Sequence, residues 1–208
     1  MKRLLADSGL NSVLEYDAIY KQREQKGRDV HDMRRWGKLL KHFTHGALVD
    51  LGCLDSGIVD LVKNRKDTTY TGIDVAEEAI LQQKQKYKDF TNVDFMAIDL
   101  YETPFQDEAF DYAVLGEVIE HLEEPQKAID EAMRILKLGG TLAISTPLEE
   151  EKEPGACDAD RHIWSFLKDD LAMMLSPWGE ATFTVIGSQY LPTYKYAWPV
   201  LIGFCQKT

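Results

Sequence analysis

Hydrophobic residues in this chain gather in short unbroken runs, and each run gives way to a polar-apolar mixture of helical period. The first run, Ala47-Leu48-Val49-Asp50-Leu51, is followed by Gly52-Cys53-Leu54-Asp55-Ser56-Gly57 and then by an amphipathic stretch from Ile58. An apolar run, a glycine-bearing turn and an amphipathic run in that order predict a buried parallel strand handing over to a helix. The motif repeats. Thr69–Asp74 predicts a second strand, with a helix starting near Ala76 and carrying Glu77 and Glu78 in its first turn, where the helix dipole favours negative charge. Asn92–Leu100 predicts a third strand, Thr103-Pro104-Phe105 a turn, and Tyr112–Leu115, opened by Phe110-Asp111, a fourth. Pro125 starts a helix lined by Ala128, Ile129, Ala132, Met133 and Leu136, with Arg134 and Lys137 in its last turn and Gly139-Gly140 ending it. Thr141–Pro147 then predicts a fifth strand. The alternation is that of an α/β fold.

The flanks carry weaker patterns. Asp29 is placed to cap a helix to about Phe43, with Met33, Trp36, Leu40 and Phe43 at helical spacing. Ser165 is placed to cap another, with Leu167, Leu171, Met174 and Leu175 toward the core, ended by Pro177-Trp178-Gly179. Ala181–Ser188 and Val200–Gln206 read as two final strands, and the loop between them holds Tyr190, Tyr194, Tyr196 and Trp198. No internal repeat or second domain is visible.

Composition narrows the function. The 208 residues suit a single domain, and a formal net charge of -11 argues against a general affinity for nucleic-acid backbones. The two basic clusters, Arg34-Arg35 and Lys63-Asn64-Arg65-Lys66, read as solvated helix ends. Cys53, Cys157 and Cys205 are few and widely spaced, which fits neither a disulfide framework nor a zinc site, and suits a reducing cytoplasm. Met1–Leu5 is too short an apolar start for a signal peptide, and no run reaches bilayer-spanning length, so no membrane partner is expected.

The turn after the first run resembles the first motif of class I S-adenosylmethionine-dependent methyltransferases, an acid followed by Gly-x-Gly-x-Gly. Here Leu54 stands at the second glycine, Ser56 at the third, and Gly57 one place late. A nicotinamide dinucleotide fold shares the layout, but its middle glycine must admit a pyrophosphate, which a Leu obstructs. Gly57 is expected to let the new helix pack closely on the strand. Gly72-Ile73-Asp74 matches the family's second motif, and the block Glu117-x-x-Glu120-His121 with a downstream Leu136-x-x-Gly139-Gly140 turn is most similar to small-molecule methyltransferases such as those of ubiquinone biosynthesis.

The resemblance covers roughly residues 45–147. It implies a three-layer Rossmann-like sandwich around a mostly parallel seven-stranded sheet whose last strand is antiparallel. It divides one methyltransferase domain into an N-terminal helical lid segment (1–44), a cofactor-binding core (45–147) and acceptor loops with a helix and C-terminal hairpin (148–208). It implies S-adenosylmethionine as cofactor, S-adenosylhomocysteine as product and a small-molecule acceptor. The cofactor would meet Asp50, Gly52, Cys53 and Leu54 at the first turn, Asp74 and Val75 at the ribose, Asp99 at the adenine amino group with Ile98 or Leu100 against the ring, and Gly116 and Glu117 after the fourth strand. Tyr16 and Tyr20 of the lid would face the active site, or else staple the first helices to the body.

Methyl transfer from a sulfonium asks for alignment and exclusion of water, and for a base when the acceptor is a hydroxyl. His121, beside the crevice, and His162, on the loop expected to roof the acceptor pocket, are the candidate catalytic residues. The set Glu117, Glu120, His121 and His162 also resembles the metal-binding residues of terminal 2′-O-methyltransferases of small RNAs, although the same run is common in metal-free relatives and the acidic chain suits RNA poorly; no metal is expected. A second alternative is a non-catalytic binding or scaffold protein in which Leu54 and Ser56 have spoiled the cofactor turn.

Overall fold

The computed structural model describes residues 2–3, 30–54, 56–148, 162–187 and 199–208. Tyr16, Tyr20, Asp29 and the aromatic residues 190–198 lie outside these. The elements run β1 (Lys2–Arg3), α1 (Val30–Leu39), β2 (Gly46–Leu51), α2 (Ile58–Val62), β3 (Thr68–Asp74), α3 (Glu77–Tyr87), β4 (Val93–Ala97), β5 (Phe110–Gly116), a 3₁₀ turn (Ile119–His121), α4 (Pro125–Ile135), β6 (Leu136–Pro147), β7 (Trp164–Ser165), α5 (Lys168–Leu175), β8 (Ala181–Ile186) and β9 (Val200–Gln206).

Seven strands form one sheet in the order β4-β3-β2-β5-β6-β9-β8. The pairs β2/β3, β3/β4, β2/β5 and β5/β6 are parallel, and β9 runs antiparallel to both β6 and β8. The chain lays β2, β3 and β4 outward in one direction, then returns to place β5 on the other side of β2. The crevice at the carboxyl ends of β2 and β5 is therefore the switch point where ligands of open α/β sheets bind.

Two cores explain the three layers. On one face Trp36 and Leu39 of α1, with Leu40 just past its end, pack with Ile58, Val59, Val62, Ile80 and Tyr87 of α2 and α3; on the other, Ala128, Ile129, Ala132 and Met133 of α4 pack with Leu171, Met174 and Leu175 of α5. In α1 and its exit the buried positions are Trp36, Leu39, Leu40 and Phe43, an i, i+3, i+4, i+7 stripe, while Met33 is exposed. The stripe is thus one turn shorter than the sequence spacing implied.

Two further expectations are corrected. Helix α4 stops at Ile135, and Leu136 already pairs with Phe110 as the first residue of β6. Strand pairing takes over two residues before the expected stop, so Lys137 sits in a strand, where it donates to Asp111 (2.8 Å). Gly139 adopts φ +78 and its N–H donates to Lys207 O. Ser165 lies in β7, paired with Lys2, and the N-cap position of the next helix falls to Leu167. Helix α5 begins at Lys168, held by Asp170, whose carboxylate accepts the Leu167 N–H (2.9 Å), and Leu167 is exposed.

Candidate functional site

The turn after β2 departs from a glycine-rich sequence at two positions, and the structure supplies a compensation for each. Gly52 takes φ +76, and a Cβ there would lie 2.6 Å from Val118 Cγ2. The N–H groups of Gly52 and Cys53 both donate to Ile73 O, which fastens the turn to β3. Leu54 occupies the left-handed region that glycine would fill, at φ +37, and its N–H donates to Asp74 Oδ2 (2.9 Å). Such a conformation costs a branched residue about 1 kcal/mol, comparable to the return from one hydrogen bond to a charged acceptor. Ser56 has a hydroxyl hydrogen-bonded to Asp50, and its Oγ accepts the Ile58 N–H (3.2 Å) at the start of α2. The turn keeps its backbone path with side-chain support where glycines would have needed none.

Gly57 has a different role from the one expected. A Cβ on it would collide with the six-membered ring of Trp36, so this glycine admits α1, rather than the strand, against the start of α2. Asp50 also differs from expectation. It lies within β2, it is buried, and it accepts from Tyr70 Oη (2.9 Å). Burial pushes its carboxyl up to about 6 against the opposing pull of Ser56, Tyr70 and Arg35. Its carboxylate braces the turn from beneath. The Cys53 side chain is likewise buried, beneath the Cα of Gly72 and beside Phe95, leaving only its backbone at the tip.

Asp74 ends β3 with Oδ2 on Leu54 N–H and Oδ1 on Ala76 N–H (3.0 Å). Both carboxylate oxygens thus stand at the carboxyl end of β3, against the turn after β2. Val75 beside it is half-buried. Asp99, just past β4, is exposed and accepts the Tyr101 N–H (2.9 Å), and Ile98 N–H donates to Asp74 O, which ties the two acid-bearing tips together. Leu100 turns into the core, while Ile98 stays half-buried.

Across the switch point, the turn after β5 is built on charged and titratable side chains. Gly116 closes the strand, and Glu117 follows at φ +56 with its N–H on Ser145 O (2.9 Å). The Glu117 carboxylate is ion-paired with Arg35 of α1, whose side chain is largely buried. Arg35 is therefore no solvated helix end. Glu120, buried, and His121, half-buried, sit on the 3₁₀ turn, and His162 arrives from the segment before β7. The two imidazole centroids are 4.9 Å apart with their planes at 68°. One donor atom from each of Glu120, His121 and His162 falls within 4.8 Å of the others. Ile163 N–H donates to Glu120 O (2.7 Å) and Trp164 Nε1–H to Leu122 O (2.8 Å), so the His162 segment is stitched to the turn on both sides. Sequence reasoning missed the Arg35–Glu117 and Asp50–Tyr70 links, because both join residues on different elements.

This sheet order and the strand-tip acids at its switch point define a Rossmann-like methyltransferase fold. Residues 49–144, a little under half of the chain, match the family described as a methyltransferase domain. A demethylmenaquinone methyltransferase from Staphylococcus aureus is 36% identical over 70 residues, which cover 34% of this chain and 29% of that protein. The O-methyltransferase rstn1 of Aspergillus nomiae is 27% identical over 115 residues, covering 54% of this chain and 51% of that one. The chain spans between about a fifth and a half of the length of the curated relatives it matches. Among solved structures, the N-methyltransferase NodS from Bradyrhizobium japonicum WM9 in complex with S-adenosyl-L-homocysteine superposes with a TM-score of 0.71 at 17% identity, over 94% of this chain and 98% of that one. That likeness is one of fold.

Proposed function

We propose that this chain transfers the methyl group of S-adenosylmethionine to a small-molecule acceptor held at the turn after β5. The observation that carries the reading is Asp74. Its carboxylate closes the Leu54 turn at the switch point, the place where the resemblance sets the ribose hydroxyls of an adenosine. The residues present fit the cofactor. Gly52 and the left-handed Leu54 hold the turn open for the methionine tail, Asp74 and Val75 flank the ribose, and Asp99 with Ile98 or Leu100 meets the adenine; Gly116 and Glu117 border the sulfonium side. The cofactor supplies an activated methyl group. The protein's share is to align the acceptor and exclude water, worth on the order of 7–11 kcal/mol in well-oriented intramolecular reactions.

His121 and His162 face the acceptor in this reading, and either one accepting a hydroxyl proton would contribute roughly 10²–10⁴-fold. The transfer balances simply: the acceptor's lone pair forms the bond to the methyl carbon, the carbon–sulfur bond breaks with its pair on sulfur, and the acceptor proton leaves to the base or to water. The organisation is one domain, with residues 1–44 as lid and 148–208 over the acceptor. A cytoplasmic setting suits the sparse cysteines, and no helix among the described residues is long and apolar enough to cross a membrane. The test is formation of S-adenosylhomocysteine from S-adenosylmethionine across a panel of hydroxylated, amino and quinol-type acceptors. Acceptor-dependent product that disappears in Asp74→Ala supports the proposal. Binding of cofactor without turnover on any acceptor class would favour the scaffold alternative.

A further inference from the structure

Resting on that reading, we propose that Thr146 is a specificity residue. Its hydroxyl, on the floor of the acceptor site, pairs with a second oxygen of the acceptor, a hydroxyl or carbonyl close to the atom that is methylated.

The side chain is a buried polar group without a partner. Thr146 is 1% exposed, and its Oγ1 meets no hydrogen-bond partner among the described residues. Buried hydroxyls are nearly always paired, because an unpaired one gives up its bonds to water and gains none in return. A hydroxyl carries one donor and two acceptor lone pairs, so it serves a carbonyl or a hydroxyl equally well. Thr146 stands near the carboxyl end of β6, the end of the sheet where ligands of open α/β folds bind. A ligand oxygen there supplies the missing partner.

Position selects the acceptor rather than the cofactor. Pairing of β5 with β6 ends at Gly116 and Ser145, so Thr146 is the first β6 residue past that edge. Side chains alternate between faces along a strand. Ile144, two residues before Thr146, and Leu201, its antiparallel partner, both belong to the core under α4 and α5, so Thr146 turns to that face. The 3₁₀ turn carrying Glu120 and His121 packs against both β6 and β7. Leu148 spends its N–H on Pro199 O on the β9 side and bridges Phe166 in parallel. The chain leaving His162 therefore runs along the flank of β6 that β5 has vacated. The cofactor turn lies beyond β5, after β2. Ser145 marks the contrast. Its Oγ is also buried without a partner among the described residues, but its register partner Gly116 faces Leu39 of α1, on the opposite side of the sheet from Thr146.

The experiment uses two variants of the full chain. Thr146→Val keeps the shape and removes the hydroxyl; Thr146→Ser keeps the hydroxyl. In thermal unfolding without ligand, Thr146→Val should be at least as stable as wild type, since an apolar group replaces an unpaired polar one. A fall in Tm of more than about 4 °C would show that the hydroxyl serves the fold and would overturn the proposal. Formation of S-adenosylhomocysteine is then followed with acceptors carrying two oxygens, each paired with an analogue that has hydrogen in place of the second. Wild type should favour the two-oxygen member by about tenfold or more in kcat/KM. In Thr146→Val that preference should shrink to within about twofold, through KM rather than kcat. Thr146→Ser should restore it, and S-adenosylhomocysteine binding should stay within about threefold in both variants. A preference that survives Thr146→Val, or none in wild type, overturns the role of Thr146 and leaves the methyltransferase reading standing. No binding of S-adenosylhomocysteine to wild type, or no turnover on any acceptor, overturns that reading and this role with it.

Discussion

Two turns at the carboxyl ends of neighbouring parallel strands are built on opposite principles. In the proposed reading the turn after β2 offers backbone to the cofactor, and side chains support it from behind: Ser56 and Asp50 brace it from below, Asp74 ties down Leu54, and Trp36 wedges α1 against Gly57. The turn after β5 offers side chains instead, Glu120 and His121 with His162 fastened alongside. A backbone-built site tolerates drift in sequence provided the path is kept, which is why Leu54 and Ser56 stand where glycines are usual. A side-chain-built site has no such freedom, and its chemistry is set by residue identity. The two halves touch through Val118 and Gly52, so neither can shift alone.

The sharpest way to break the contrast is at Asp74, the β3 side chain that borders the first turn and is assigned to the ribose in the proposed reading. Removing two hydrogen bonds to a charged acceptor at about 1.5–3 kcal/mol each predicts that Asp74→Ala weakens S-adenosylhomocysteine by roughly 10²-fold or more, read by calorimetry. An Asp74→Ala variant that binds within threefold of wild type would move the ligand off this turn. Next comes the support beneath. Trp36→Ala should destabilise the protein by about 3–5 kcal/mol in urea unfolding, as truncation of a buried tryptophan does; a loss under about 1 kcal/mol would mean that α1 does not hold the turn.

Asp50 gives the pH dependence. Its carboxyl titrates near 6 in the fold and near its ordinary value of 3.8 when unfolded, so the folded state holds the proton more tightly. The stabilisation is complete below about pH 4 and is lost as pH rises to about 6, a change on the order of 3 kcal/mol for this buried group. Asp50→Asn cannot ionise. Its unfolding free energy relative to wild type should therefore rise between pH 4 and pH 7, and a flat difference would remove burial as the governing cause. The smallest effect belongs to Leu54→Gly, which relieves the left-handed strain but frees the unfolded chain. Its net change in stability should stay within about 1 kcal/mol, with cofactor affinity unchanged within threefold.

The parts of this molecule legible in sequence are those written locally. The runs at Leu48–Leu51, Thr69–Asp74 and Tyr112–Leu115 were each closed by turn residues, and all fall within observed strands. The expected span of resemblance, 45–147, brackets the matched domain at 49–144. The antiparallel last strand is β9. Local pattern failed where a distant partner decided the outcome. Leu136 pairs with Phe110 and so leaves the helix that its periodicity assigned it to. Arg35 looks like a solvated helix end until Glu117, far along the chain, meets it. Gly57 looks like a helix-to-strand contact until Trp36 arrives from α1. In the candidate site, His121 and His162 were both expected beside the acceptor from the order of elements, but the pairing of Glu117 with Arg35 joins two distant elements, which no spacing encodes.

The most direct measurement is calorimetric titration of S-adenosylhomocysteine into the wild-type protein. One saturable site per chain is predicted, because the Leu54 turn keeps its path and the Asp74 carboxylate stands against it at the switch point. Absence of heat, together with no thermal shift at millimolar ligand, would contradict the claim that this altered turn still receives an adenosine.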